Sequence, residues 1–163
     1  MWSAFFDATI AGAAAVCAPQ ESNRSPALKF AADTIARYNA NPLYQTIGIR
    51  LEEVADGHAR AVLTPNPQVC WPTEGQPHGG ILFTVLDTTM AFAALSTATE
   101  DDACATVDCS IQYPVPARHP PYVCEVSSAR RTGRTVFVRA EVLDAHQAPV
   151  AIAQGTFRIF KAK

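Results

Sequence analysis

The sequence predicts an α+β domain in which one curved antiparallel sheet wraps a single long helix, with extra helices ahead of it. Three observations carry that expectation. Residues 78–98, HGGILFTVLDTTMAFAALSTA, run for about five turns at about 3.6 residues per turn, with apolar side chains in almost every direction around the axis. Two short strand-like runs precede this segment, and four strand-like stretches follow it. No second element of comparable length is available to cover the helix, so the sheet must do it.

Taken in order, residues 1–18 predict an Ala-rich helix anchored by Trp2, Phe5, Phe6 and Ile10. A polar linker follows over residues 19–24. Ser25 and Pro26 then read as an N-cap and first helical position, with Leu28, Ala31, Ile35 and Tyr38 at helical spacing and a stop at residues 39–42. Residues 1–41 are thus expected as a helical extension and residues 42–163 as the main domain. The extension either packs on the flank of that domain or serves as a lid or partner surface. The apolar run at 8–18 lacks a basic leader and follows Asp7, so no secretory signal is expected.

Residues 47–53 and 58–64 read as strands joined by Ala55-Asp56-Gly57, a hairpin signal. Pro65, Pro67, Pro72 and Pro77 predict an irregular loop over 64–77. The central helix is expected over about 79–98. Beyond it, Thr106, Asp108, Ser110 and Gln112 alternate with Val107, Cys109, Ile111 and Tyr113. Further strands are expected at 122–129, 135–143 and 150–160, the first two joined by an Arg131-Thr132-Gly133-Arg134 turn. Four consecutive strands with short connections predict an antiparallel meander.

Composition narrows the function. At 163 residues, 48% hydrophobic and 17% charged, the chain reads as one ordinary globular domain. A net charge of −2 without a basic block argues against nucleic acid as the main partner. The five cysteines are odd in number and lack CxxC spacing, which suggests core thiols in a reducing, cytoplasmic compartment. His58, His78, His119 and His146 lie far apart without metal-ligand spacing, so no metal is expected unless the fold gathers them. Asp87 and the threonines of the long helix argue for burial in protein rather than in a membrane.

Asp87 is the sharpest functional signal. It is the one charged residue in the helix after His78, and a carboxylate in such a place must be paired, protonated or used. Unused, it is a packing acid hydrogen-bonded to Thr84 or Thr88. The helix start adds to the signal. Its first N–H groups lack helical partners and carry the positive dipole end, a setting for a carbonyl that becomes an oxyanion, and the glycines allow close approach.

The segment PHGGILFTVLDTTMAFA within this element order resembles the hotdog-fold thioesterases, particularly the phenylacetate-pathway-like branch. His78-Gly79-Gly80, Leu86-Asp87-Thr88 and Ala105-Thr106-Val107-Asp108 carry the resemblance, with the 113–117 segment, the Arg131–Arg134 hairpin and Gly155-Thr156-Phe157 adding to it. It covers about residues 42–159. The resemblance implies a hotdog fold and hydrolysis of an acyl-CoA thioester, with no cofactor beyond the CoA of the substrate. It implies a homodimer with inter-subunit active sites, further assembled as a homotetramer. Gly79 N–H is then the carbonyl donor with Gly80 next, and Asp87 of the other subunit is general base or nucleophile. Thr106 holds the water, and His78 either fixes the loop or contacts substrate.

One position departs from the family. Several relatives carry Asn where this chain has Pro72, and Gln76 is the substitute, with Glu74 a second nearby carboxylate. Arg131 and Arg134, with Arg130 beside them and Arg118 as a lesser candidate, either meet CoA phosphates or charge an exposed hairpin tip for solubility. Trp71, Phe83, Met90 and Phe92 are either acyl-pocket lining or plain core. The competing functions are a hotdog hydratase or dehydratase and a non-catalytic acyl-CoA-binding module.

Overall fold

The computed structural model describes residues 30–71 and 75–162. The expected helix at 1–18, the start of the second helix at Ser25 and Pro26, and the residues Pro72 and Glu74 lie outside them.

Short helices α1 (Ala32–Asn39) and α2 (Pro42–Ile47) lead into the hairpin β1 (Ile49–Ala55) and β2 (His58–Leu63). A single helical turn α3 (Pro67–Cys70) precedes the long helix α4 (Gly79–Leu95). Four strands complete the chain: β3 (Asp102–Gln112), β4 (Tyr122–Thr132), β5 (Thr135–Leu143) and β6 (Pro149–Lys161). All six strands form one antiparallel sheet in the order β1-β2-β4-β5-β6-β3, curled against α4. This is the hotdog architecture expected from the sequence. No helix of the described residues is long and apolar enough to cross a membrane.

The local signals account for several elements. Asp56 and Gly57 both take positive φ, 51° and 81°, as a tight two-residue hairpin turn requires. Asn41 caps α2 by accepting from Leu43 N–H at 2.9 Å, with Pro42 at the first helical position. That short helix pushes the start of β1 from the expected residue 47 to Ile49.

Four expectations need correcting. The helix expected to run through residues 30 and 31 does not do so: Ala31 is extended, Phe30 N–H bonds Val54 O at 3.1 Å, and α1 starts at Ala32 among the described residues. The proline loop is not wholly irregular, because Pro67 opens α3 behind the capping Asn66, where its missing N–H costs nothing. The four last strands are not a simple meander. β4, β5 and β6 are, but β3 pairs with β6 at the far edge, so residues 113–121 cross to β4 rather than making a local turn.

The fourth correction concerns burial. The sheet covers one side of α4 and not most of its circumference. Leu82, Val85, Leu86 and Met90 are buried together with strand residues such as Val136, Val138 and Phe157, while Phe92 packs its ring on Tyr38 and Phe30. Each such side chain contributes about 1.5–3 kcal/mol by leaving water. Phe83 stays 40% exposed, and Thr84, Asp87, Thr88 and Ala91 are only partly covered. The open side of the helix is the side that carries the acid.

Candidate active site

Asp87 lies midway along α4 and takes its hydrogen bond from the sheet. Thr106 Oγ1 donates to Asp87 Oδ1 at 2.8 Å. A bulge makes this possible. Thr106 pairs with Phe157 and Asp108 with Thr156, leaving Val107 as an extra residue in β3. The strict alternation read from the sequence puts Thr106 on the face opposite Cys109 and Ile111. The bulge resets the phase, so Cys104, Thr106, Cys109 and Ile111 all oppose buried positions of β6. Among the described residues no basic side chain pairs with Asp87 within salt-bridge distance.

The packing alternative for Asp87 required Thr84 or Thr88 as its partner. Thr84 spends its hydroxyl on Gly80 O at 2.8 Å, and the side-chain bond that Asp87 accepts comes from Thr106 rather than Thr88. Burial raises the phenol of Tyr44 in α2, the nearby Thr88 hydroxyl lowers it, and Tyr38 and Asp87 raise it further. Burial, with the Asp87 charge, pushes the Cys104 thiol up to about 11. Cys109 is raised by burial, then by Asp87 and Asp108. These thiols are held protonated beside the carboxylate, which disfavours a thiolate nucleophile.

At the start of α4, His78 is the N-cap residue. Its Nδ1 accepts from Gly80 N–H at 2.9 Å, and its own N–H bonds Cys70 O at 2.8 Å. The Gly80 N–H is therefore occupied by the cap, while helix geometry leaves Gly79 N–H without an intrahelical acceptor. A Cβ on Gly80 would stand 2.9 Å from His78 Nδ1, so the cap needs glycine there. Tyr113 closes the other side, its hydroxyl donating to Gly79 O at 2.9 Å. Gln76 is exposed on the loop before His78.

A family model described as the thioesterase superfamily matches residues 75–151. A Halobacterium salinarum protein that carries a provisional esterase name is 32% identical over 130 residues, covering 73% of this chain and 85% of its own. The chain belongs to the thioesterase superfamily. Membership sets its reaction class as thioester hydrolysis. A conserved Pseudomonas aeruginosa protein, PA5202, superposes with a TM-score of 0.69 at 27% identity, over 76% of this chain and 98% of its own. The Haemophilus influenzae thioesterase HI1161 (TM-score 0.73, 13% identity, 81% and 92% covered) and the Escherichia coli PaaI protein of the phenylacetic acid degradation operon (0.69, 22%, 78% and 91%) share the fold.

Within this thioesterase domain the candidate residues fall into three separate places. Gly79, Gly80 and His78 stand at the N-terminus of α4. Asp87 and Thr106 stand eight residues further on, about 12 Å along the axis at about 1.5 Å per residue. Arg131 lies beyond the other end of α4, where it donates to Thr97 O and, through Nε, to Gly133 O at 3.0 Å. Arg134 is exposed at the same hairpin tip. Among the acyl-pocket candidates, Met90 and Phe92 are buried core and Phe83 is open.

Tyr44, Cys104 and Tyr113 surround the site without having been singled out from the sequence for it. Asn41-Pro42 was a readable helix start that delivers Tyr44. Tyr113 had no local signal, because only the path of β3 along the sheet edge brings it over Gly79.

Proposed function

We propose that this chain hydrolyses acyl-CoA thioesters at sites assembled between two subunits of a homodimer, which pair further into a homotetramer. Gly79 N–H polarises the thioester carbonyl of a substrate whose water or nucleophile comes from Asp87 of the partner copy. Thr106 holds Asp87 and the attacking water. His78 keeps the helix start capped so that Gly79, rather than Gly80, is the donor. Gln76 supplies the second polar contact where Pro72 offers none, and Arg134, with Arg131, meets the CoA phosphates.

One observation carries this reading: about 12 Å of helix separates Gly79 from Asp87 in one chain. A donor on the carbonyl oxygen and a base on the water attacking the same carbon must each act across about 3 Å. One chain's pair cannot serve one thioester, and two antiparallel copies can. Exposed apolar side chains support the contact: Phe83, Val107, Tyr113 and Val115 are 40–64% exposed along α4, the edge strand β3 and the segment after it. Thioester hydrolysis fits an acid without a partnering histidine better than the hydratase alternative does. The described cysteines Cys70, Cys104, Cys109 and Cys124 are free thiols, in keeping with a cytoplasmic setting.

Thiol release from a panel of acyl-CoAs tests the proposal. Asp87→Asn should lower turnover at least about 100-fold with the assembly intact. Wild-type turnover in that variant overturns the assignment, and binding of acyl-CoA without any thiol release would favour the binding-module alternative.

A further inference from the structure

The crossover from β3 to β4 and the hairpin from β5 to β6 bring together three side chains that the thioesterase site does not use. His119 comes from the crossover, and Asp144 and His146 from the hairpin. The two imidazole rings stack with centroids 4.3 Å apart and planes 28° from parallel. One ligand-competent atom from each of the three residues lies within 4.8 Å of the other two. The sequence spacing hid this group, since 25 residues separate His119 from Asp144.

We propose that His119, Asp144 and His146 bind one divalent transition-metal cation of the zinc class, tying the crossover to the hairpin. The donor set decides the class. Two imidazole nitrogens and one carboxylate suit zinc, nickel, copper or cobalt, whereas magnesium and calcium require mainly oxygen. The backbone already fixes the two segments: Ala145 N–H bonds His119 O at 2.9 Å, Asp144 N–H bonds Ala148 O at 3.0 Å, and Gln147 N–H bonds Asp144 O at 2.9 Å.

Asp144 is 3% exposed, yet both side-chain bonds it accepts, from His146 N–H at 2.9 Å and Ala148 N–H at 3.0 Å, fall on Oδ1. Its second oxygen is therefore available to a cation. Tyr122 is fully buried with a hydroxyl that has no hydrogen-bond partner. Val123 pairs with Leu143, so Tyr122 stands one step along the same register, beside Asp144. A phenol there can steady the carboxylate oxygen that ligates. Both histidines are exposed, which gives a cation an entry path and leaves a fourth position to water.

The test is calorimetric titration of the chelator-treated full chain with zinc chloride. One ion per chain is expected, with a rise in Tm on addition. His119→Ala, His146→Ala and Asp144→Asn should each weaken binding about 10-fold or more, since even outer partners of a metal site cost about 10–100-fold. The asparagine oxygen still accepts the turn's N–H groups, so Asp144→Asn separates ligation from folding. Cobalt loaded into the site should lack a thiolate charge-transfer band. Absence of binding by the wild type, unchanged affinity in the histidine variants, or a thiolate band would each overturn the site.

Discussion

Thr106 Oγ1 donates to Asp87 Oδ1 across 2.8 Å, and the bulge at Val107 is what aims it there. A hydrogen bond to a charged group is worth about 1.5–3 kcal/mol, or about 10–100-fold when it holds a catalytic carboxylate. Thr106→Val should therefore lower kcat by that factor with little change in KM, and Thr106→Ser should keep most of it. Steady-state kinetics of the two variants decide this. A change carried by KM alone would remove Thr106 from the reacting group.

The thiols beside the acid give a second prediction. With Cys104 pushed up to about 11 and Cys109 raised as well, neither supplies a thiolate near neutral pH. Cys104→Ser and Cys109→Ser should each retain turnover within about threefold, as the proposed role of Asp87 requires. Loss of turnover in Cys104→Ser with unchanged Tm would shift the chemistry from Asp87 to sulfur.

The acid limb of stability has an identifiable contributor. Asp102 accepts from Thr99 N–H at 3.0 Å and the Thr99 hydroxyl at 2.7 Å, and it pairs with Lys161 at 3.1 Å. The Thr99 backbone bond, then the Thr99 hydroxyl and Lys161, lower its carboxyl from 3.8 to about 2. A folded value below the unfolded one stabilises above the unfolded value and is lost as pH falls through the folded one. The Tm advantage of the wild type over Asp102→Asn should hold at neutral pH and shrink to nothing as pH falls from 3.8 through about 2. A gap that stays constant would assign it to packing.

What could be read from the chain was what neighbouring residues decide. Asp56-Gly57 announces its hairpin, and His78-Gly79-Gly80 announces the start of α4, because turn and cap geometry are local. The Val107 bulge was hidden because only the register against β6 defines it. The place of β3 at the sheet edge was hidden for the same reason, and a four-strand meander was the local reading. Apolar residues around α4 were legible, but composition does not say which side of the helix the sheet leaves open. Asp87, Thr106 and Gly79 could be named from the sequence. The 12 Å between Gly79 and Asp87, on which the proposed two-copy site rests, needed the helix in place.

The arginine hairpin separates two uses of the same charge. Arg131 donates to Thr97 O just past the end of α4 and to Gly133 O within its own turn. Positive charge there also complements the helix dipole. Removing it should loosen the hairpin against the helix end. Arg131→Gln is expected to cost about 1 kcal/mol, a modest value because the contact is exposed, and to lower Tm. Arg134, at the same tip, is the proposed phosphate ligand, being exposed with its backbone carbonyl, not its guanidinium, used by Ile159 N–H at 2.7 Å. Arg134→Gln should leave Tm near wild type and raise KM for CoA esters several-fold more than for esters of a short thiol lacking the nucleotide. Equal effects on both ester classes would leave the hairpin a purely structural element and move phosphate recognition elsewhere.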